Sequence, residues 1–271
     1  MRYAQIVEPG TKVELTGYPT DATGGLDKKA AHELLEPLRE EISDLQELLY
    51  AAAQHSMLIV LQGTDTSGKD GTIRSVLQQV NPLGCRAWSF KEPTPLELAH
   101  DFLWRVHAKA PEKGMMTVFN RSQYEDVLIV RVKELAPESV WSKRYDQINE
   151  FERLLVEEGT TVLKFFLHIS RDAQKERLLE RIETPEKNWK FNPGDLEERK
   201  LWPQYAEAYE DLLNKTSTDW APWYIVPADK KWFRNLLISS VLVDTLKGFD
   251  MQYPVAGEDL APYAARLRAG E

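Results

Sequence analysis

Short apolar runs alternate with longer amphipathic stretches along most of this 271-residue chain. Runs typical of buried strands lie at residues 57–61, 85–90, 115–119, 162–169 and 223–226. Amphipathic stretches that predict helices lie at 28–53, 72–80, 95–109, 140–157, 171–182, 196–215 and 231–246. Strands that alternate with helices form parallel sheets that are covered on both faces. We therefore expect one α/β domain with a parallel sheet of about five strands.

The two ends of the chain differ from this pattern. Residues 1–27 are polar and rich in glycine, which predicts an extended N-terminal arm with some mobility. The domain is expected at 28–250, and 251–271 form a C-terminal tail. The helix predicted at 28–53 has one apolar face, formed by Leu34, Leu38, Ile42, Leu45 and Leu49. That face can pack on the domain or on a second subunit, so it permits a homo-oligomer (a dimer or a tetramer) without demanding one.

One segment interrupts the alternation of strands and helices. Residues 183–194 contain proline, glycine and lysine between two predicted helices. This composition is typical of a mobile cover over a site, and we expect a helical lid at about 183–200.

Charge and composition narrow the function. The chain has 34 Lys and Arg against 43 Asp and Glu, a net charge of −9, which argues against a nucleic-acid-coating protein. A local basic channel for a polyanion remains compatible with this balance. Cys85 is the single cysteine, so no intrachain disulfide can form. No apolar run approaches the ~20 residues that span a bilayer, and residues 1–10 lack the apolar core of a signal peptide. We expect a soluble cytoplasmic protein that binds neither nucleic acid nor membranes.

The first candidate site follows the apolar run at 57–61. Gly63 and Gly68 bracket four residues and Lys69 follows, which matches the G-x-x-x-x-G-K phosphate loop between a strand and a helix. Glycines let successive backbone N–H groups face phosphate oxygens, and the helix N-terminus and lysine add positive charge. Asp70 stands where Ser or Thr normally binds Mg²⁺, and Asp65 lies inside the loop. We therefore expect Asp65 to help hold Mg²⁺. The alternative is a glycine-rich turn without a ligand.

A second candidate loop follows the run at 115–119. Asn120 and Arg121 come first, and Glu125 and Asp126 follow five and six residues after Asn120. The carboxyl ends of parallel strands face one crevice, so both loops are expected to meet there. The alternative is a surface turn.

Basic residues near these loops are candidates for phosphate contacts. Arg177 and Arg181 share one face of a predicted helix, and Lys187 and Lys190 follow in the lid. Together they suggest a cationic clamp, although each alone is more often a solvated charge. Further candidates are Arg74, Lys91, Arg105 and Arg131, of which Arg131 is expected to be half-buried with an anionic partner. His100, His107 and His168 lack the spacing of a zinc site.

Taken together, several stretches resemble the polyphosphate kinase 2 family of the P-loop kinase superfamily. They are LQGTDTSGKDGT at 61–72, residues 81–90, HDFLWRVH at 100–107, VFNRSQYEDVLIVRV at 118–132, KFFLHIS at 164–170, NWKFNPGD at 188–195, TSTDWAPW at 216–223 and VPAD at 226–229. The resemblance covers about residues 30–250. It implies a P-loop kinase-like three-layer sandwich with a helical lid and an N-terminal helical extension.

The resemblance also implies a reaction. The family transfers phosphoryl groups reversibly between inorganic polyphosphate and nucleotides, with Mg²⁺ or Mn²⁺. Many members have Asp-Arg where this chain has Asn120-Arg121, and the form seen here resembles the class III branch, which phosphorylates both AMP and ADP to give ADP and ATP. Phosphate-contacting arginines of the family correspond to Arg131 and Arg181.

These arguments assign roles to named residues. Catalytic roles fall to Asp65, Lys69, Asn120, Arg121 and Arg181. Phosphate binding is assigned to Gly63, Thr64, Thr66, Ser67, Gly68, Lys69, Asp70, Gly71, Arg74, Lys91, Arg121, Arg131, Arg177, Lys187 and Lys190. Nucleotide binding is assigned to Asp65, Asn120, Arg121 and Glu125, and metal binding to Asp65 and Glu125.

Two other functions share these features. An ATP-dependent nucleoside monophosphate kinase would use the same loop, lid and arginines with a different donor. A nucleotide-binding regulatory protein would keep the loop without turnover, and the departures at Asp65 and Asn120 favour it.

Overall fold

The computed structural model describes residues 5–270. Within them, six strands form one sheet: β1 (Gln5–Val7), β2 (Ser56–Gln62), β3 (Cys85–Ser89), β4 (Met116–Asn120), β5 (Thr160–His168) and β6 (Trp223–Pro227). The helices are α1 (Lys28–Ala52), α2 (Lys69–Val76), α3 (Pro95–Leu98), α4 (Trp104–His107), α5 (Ile129–Val132), α6 (Glu138–Trp141), α7 (Arg144–Glu157), α8 (Arg171–Glu183), α9 (Gly194–Lys200), α10 (Trp202–Thr216), α11 (Lys231–Lys247) and α12 (Ala261–Arg268).

The sheet confirms the predicted parallel α/β architecture and adds one strand. Its spatial order is β1-β6-β5-β2-β4-β3, and the five strands from β2 to β6 run parallel. Strand β2 lies in the centre, so the loop that follows it opens at the middle of the carboxyl edge. The sixth strand, β1, comes from the N-terminal arm and pairs antiparallel with β6, Gln5 opposite Ile225.

The arm is more firmly attached than its composition predicts. Val7, Val13 and Leu15 are buried in the core. The backbone N–H groups of Val13 and Leu15 donate to Asn214 Oδ1 (2.6 Å) and Glu210 Oε1 (2.7 Å) of α10. The arm therefore covers the β6 edge of the five parallel strands and contacts helix α10. Residues 1–4 lie outside the described part of the chain.

The sheet separates two apolar layers. One face packs Leu58, Val60 and Phe119 against α7 and α10. The other face packs Met57, Ile59 and Leu61 against α1 and α11. Consecutive residues of β2 therefore enter opposite layers, as a strand buried on both faces requires.

The apolar face of helix α1 packs against other elements of the same chain. Leu35, Ile42 and Leu49 are buried, and the helix packs along α11. Leu34, which was expected on the buried face, is 47% exposed, and Leu35 takes the inward position. The expected homo-oligomer stays a prediction.

Three stretches that were predicted as continuous helices are each divided into two helices in the structure. The stretch at 95–109 splits into α3 and α4, because the Asp101 carboxylate accepts from the N–H groups of Leu103 and Trp104 and starts a new helix. The stretch at 140–157 splits into α6 and α7, and the stretch at 196–215 splits into α9 and α10. The helix expected at 72–80 starts earlier, at Lys69.

The expected lid consists of two short helical segments after α8. A 3-10 helix covers Pro185–Lys190, and α9 follows. Arg181 of α8 donates to Asp195 Oδ2 (3.1 Å) and ties α8 to the start of α9. Among the helices of residues 5–270, none has both the length and the apolar character needed to span a bilayer.

Candidate active site

The phosphate loop connects β2 to α2 and depends on an unusual backbone. Gly63 and Gly68 have φ values of +151° and +103°. A Cβ on Gly63 would lie 2.7 Å from the carbonyl oxygen of Leu167, so no larger residue fits there. Thr66 also has a positive φ, +64°, which is rare for a non-glycine residue. Strain of this kind concentrates at functional sites and fixes the loop before a ligand arrives.

Lys69 is folded onto the loop that it follows. Its Nζ donates to the carbonyl oxygens of Gly63 (2.6 Å) and Thr64 (3.3 Å). Burial, together with the nearby charge of Arg121, lowers the pKa of Lys69 to about 8. The amine is thus held at the rim of the loop, close to where phosphate oxygens would replace its backbone acceptors.

Three hydroxyl groups at the loop have unused hydrogen-bonding capacity. The Oγ1 atoms of Thr64, Thr66 and Thr72 are buried and have no partner among the described residues. Buried hydroxyls are normally satisfied, so these atoms indicate a polar ligand at the loop.

The second loop meets the first, as its position after a neighbouring strand predicts. Arg121 has a φ of +62° and follows the last residue of β4. Its Nη2 donates to Asp65 Oδ1 (2.9 Å), and its Nη1 lies 4.0 Å from Glu125 Oε2. The Glu125 carboxylate is the main cause of a raised pKa of Arg121. Asn120 donates to Asp70, so its side chain also bridges the two loops.

A buried ion pair anchors the second loop from behind. Glu152 and Lys164 have fully buried side chains 2.7 Å apart. Gln123 and Tyr124, which belong to the loop, donate to Glu152 Oε1 at 2.9 and 2.7 Å. Lys164 also donates to the carbonyl of Thr216 (2.6 Å). These contacts hold the segment that carries Arg121 and Glu125 in one conformation.

A cationic groove crosses the mouth of the phosphate loop. It has a volume of about 600 Å³, and nine basic side chains line it against five acidic ones. The basic residues are Lys69, Lys91, Arg121, Arg177, Arg181, Lys187, Lys190, Lys231 and Arg234. An excess of positive charge in a groove suits an extended polyanion, although the whole chain is acidic.

An aromatic cavity of about 350 Å³ lies on the other side of Arg121. Trp202, Tyr205 and Tyr209 line it together with Leu128 and Ile129. Five carboxylates line it as well, those of Asp65, Glu92, Glu125, Asp195 and Glu198. Burial and the neighbouring charge of Asp65 raise the pKa of Asp195. The groove and the cavity share Asp65, Glu92, Arg121 and Asp195 as a common wall.

The structure brings most of the predicted site residues together, but three of the basic candidates line neither space. Arg105 is buried and donates to the carbonyl oxygen of Lys91 (2.9 Å). Arg74 is exposed on α2 and lines neither space. Arg131 lies outside both as well, because its guanidinium donates to Asp211 Oδ2 (2.6 Å) and Glu207 Oε1 (2.7 Å). Helix α10 therefore provides the predicted anionic partner of Arg131. The structure does not place the Arg131 side chain in the groove or in the cavity.

The predicted clamp residues divide into two kinds. Lys187 and Lys190 line the groove from the lid, and Lys187 pairs with Glu180. Arg177 is buried beneath the loop and donates to the carbonyl oxygens of Thr66 (2.8 Å), Ser67 (3.2 Å), Ala228 (2.6 Å) and Asp229 (2.9 Å). Its donors are used by the backbone, so Arg177 shapes the loop.

Sequence reasoning missed Arg234, Glu152 and Lys164. Arg234 and Glu152 lie inside regular elements, and nothing around them in the sequence marks them. Lys164 interrupts an apolar run and begins the matching stretch 164–170, but no role was assigned to it. A charged residue at a position of α7, α11 or β5 that faces the core is the one available signal. Trp202 lines the aromatic cavity as well.

The residues that line the aromatic cavity fit the implied magnesium. Asp65 and Glu125 line it, together with Thr64, whose hydroxyl has no partner among the described residues. Among residues 5–270, no group of three or more His, Cys, Asp or Glu side chains forms a metal cage. Mg²⁺ is commonly bound through one or two carboxylates plus substrate phosphates, which this arrangement can offer.

Comparison with known proteins identifies the family. The family model described as polyphosphate kinase 2 matches residues 25–254. The chain belongs to the polyphosphate kinase 2 family. The crystal structure of polyphosphate kinase 2 from Arthrobacter aurescens TC1 superposes with a TM-score of 0.93 at 39% identity, over 98% of this chain and 99% of that one.

Two relatives within the polyphosphate kinase 2 family cover nearly the whole chain. The AMP/ADP-polyphosphate phosphotransferase of Meiothermus ruber is 56% identical over 250 residues, which is 92% of this chain and 94% of that protein. The ADP-polyphosphate phosphotransferase of Rhodopseudomonas palustris is 48% identical over 261 residues, which is 92% of this chain and 90% of that protein.

Proposed function

We propose that this enzyme transfers phosphoryl groups from inorganic polyphosphate to AMP and then to ADP, giving ADP and ATP. The observation that carries the proposal is the common wall: a cationic groove and an aromatic cavity meet at Asp65 and Arg121. A phosphoryl group can pass between two ligands only where their sites touch. The names of the Meiothermus and Rhodopseudomonas relatives support the same pair of substrate classes.

The donor fits the groove. Polyphosphate carries one negative charge or more on each phosphate, and nine basic side chains line the groove against five acidic ones. The N-terminus of α2 adds backbone N–H donors.

The acceptor fits the aromatic cavity. Its volume lies at the lower end of the range for small-molecule sites, which suits a mononucleotide. The rings of Trp202, Tyr205 and Tyr209 offer faces on which a purine can stack. Arg121, at the inner end, is placed to bind the acceptor phosphate.

The transfer takes place at the wall by an in-line displacement. Arg121 neutralises charge on the transferring group, and Asp65 orients Arg121 through their 2.9 Å hydrogen bond. Asp65 and Glu125 would hold Mg²⁺, which supplies further positive charge to the phosphate oxygens when bound. The lid, through Lys187 and Lys190, covers the groove and excludes water, which limits hydrolysis of the donor.

The decisive experiment supplies AMP, long-chain polyphosphate and Mg²⁺ without ATP, and follows nucleotides by chromatography over time. We expect ADP first and ATP second. Lys69→Ala is expected to lower the rate by at least about 100-fold with an unchanged unfolding curve. Lys113→Ala, an exposed lysine before β4 that lines neither space, is the matched control and is expected to keep the wild-type rate.

The other outcomes identify other functions. ADP without ATP would limit the acceptor to AMP. No product with polyphosphate, but ADP once ATP replaces it, would identify an ATP-dependent nucleoside monophosphate kinase. No product from either donor would favour a regulatory protein that binds nucleotides.

A further inference from the structure

Arg234 lies beneath the phosphate loop, in the first turn of α11, and is 2% exposed. Its Nη1 donates to the carbonyl oxygen of Ser67 (3.1 Å), and its Nε and Nη2 donate to Asn235 Oδ1 at 3.1 and 2.9 Å. All of these acceptors are uncharged. A buried arginine normally has a carboxylate partner, because a buried charge without a counter-charge is costly.

No such partner is present among residues 5–270. No carboxylate oxygen of a described residue forms an ion pair with Arg234. The charged group that most affects it is another cation, Arg177, which donates to the same carbonyl oxygen of Ser67 at 3.2 Å. Burial and the charge of Arg177 lower the pKa of Arg234 to about 9. Two guanidinium groups thus lie side by side under the loop.

Their contacts set the direction of the loop N–H groups. In a planar trans peptide the C=O and the following N–H point in opposite directions. Arg177 and Arg234 draw the carbonyl of Ser67 inward, and Arg177 draws that of Thr66 inward as well. The N–H group of Gly68, which lines the cationic groove, therefore points away from the bound carbonyl of Ser67, whereas the N–H group of Ser67 donates within the loop to the carbonyl oxygen of Thr64 (3.1 Å).

Arg234 is also close to that groove. It lines the groove itself, and a Cβ added to Gly68 would lie 1.9 Å from its Nη1. The guanidinium thus lies directly against the backbone of Gly68, which lines the groove as well.

We propose that Arg234 is a positioning residue whose buried charge is balanced by the phosphate chain in the groove, and that the free enzyme keeps this charge at the expense of its own stability. The inference rests on the proposed binding of polyphosphate in the groove. It assigns Arg234 two effects: it orients the loop N–H groups, and it raises the affinity for the polyanion without touching the reacting atoms.

The test compares Arg234→Met with Arg39→Met. Arg39 is also buried, but it pairs with Glu36, donates to the carbonyl and hydroxyl oxygens of Ser75, and lines neither the groove nor the cavity. Without substrates, Arg234→Met is expected to raise the unfolding temperature by about 2 °C or more, because an unbalanced buried charge is removed. Arg39→Met is expected to lower it. A structural arginine would give a decrease in both.

Binding is measured separately by titration calorimetry with long-chain polyphosphate and Mg²⁺, without nucleotide. Arg234→Met is expected to weaken the Kd by about tenfold or more, whereas Arg234→Lys keeps the charge and stays within about threefold of the wild type. The Kd for AMP, measured alone, is expected to change by less than about twofold, because Arg234 does not line the aromatic cavity. Arg39→Met leaves both values unchanged.

Several results would overturn the inference. They are an unchanged Kd for polyphosphate in Arg234→Met, a lowered unfolding temperature or failure to fold in that variant, and an equal loss of affinity in Arg234→Lys. If the wild type itself does not bind polyphosphate, the proposed function fails first, so the two failures can be told apart.

Discussion

The buried pair of Glu152 and Lys164 allows a prediction with a worked magnitude. Both side chains are completely buried, and their charged atoms are 2.7 Å apart. Replacing Lys164 by Met leaves the Glu152 carboxylate without a counter-charge. Breaking a buried pair costs about 3–5 kcal/mol, and we expect about 3 kcal/mol here because Tyr124 and Gln123 still donate to Glu152. That is a large part of the ~5–15 kcal/mol that stabilises a typical protein.

The assay is urea-induced unfolding at neutral pH, followed by circular dichroism. Glu152→Gln is expected to cost a similar amount, since it leaves Lys164 with only the uncharged Thr216 carbonyl and Tyr124 hydroxyl. The double variant removes both charges and is expected to be more stable than either single variant. Arg153→Met is the matched control on α7, because its ion pairs are half-exposed and contribute about 0–1 kcal/mol.

The reasoning would be refuted by additive costs in the double variant, or by a cost below ~1 kcal/mol for Lys164→Met. Either result would mean that the two charges do not depend on each other. The anchoring role has a further readout. Because Glu152 holds the loop of Arg121, kcat in Glu152→Gln should fall under conditions where the variant is fully folded.

Two further predictions concern the phosphate loop. Because burial lowers the pKa of Lys69 to about 8, its amine loses its charge as the pH rises, so kcat/KM for polyphosphate should fall by about tenfold between pH 7 and pH 9; Lys69→Arg should give a flat profile, and a flat wild-type profile would contradict the assignment. Gly68→Ala combines a φ of +103° with a clash against Arg234 and should destabilise the fold by at least ~2 kcal/mol more than Gly159→Ala, which has a φ of +89° and open space around it. Equal urea midpoints for the two glycine variants would show that Arg234 moves aside without cost.

Much of the fold could be predicted because its signals are local. The five parallel strands appear as continuous apolar runs, and each predicted run overlaps a strand of the sheet. The three-residue strand β1 could not be found this way, because its pairing with β6 depends on residues more than 200 positions later. The split of the stretch at 95–109 depends on Asp101, which interrupts an otherwise continuous apolar period, whereas α7 and α10 begin without a side-chain cap.

The residues of the site also differ in whether their signal in the sequence is local or depends on the tertiary structure. Gly63, Gly68, Lys69 and Arg121 could be predicted because each follows a recognisable strand, directly or within the loop that leads to the next helix. Arg234 could not, because it is 167 residues from the carbonyl of Ser67 that it binds and is reached only through the tertiary structure. Arg131 shows the opposite error: a basic residue in a matching stretch is directed to α10 by Asp211 and Glu207.

The antiparallel strand β1 has a consequence for the order in which this protein assembles during synthesis. Its partner residues 223–225 leave the ribosome more than 200 residues later, roughly 10–40 s at ordinary elongation rates. During that interval β6 has not yet been synthesised. Val7, Val13 and Leu15 therefore cannot reach their buried positions beside it. Docking of the arm is therefore a late step of folding, in which β1 can pair only after the last strand of the sheet has been synthesised.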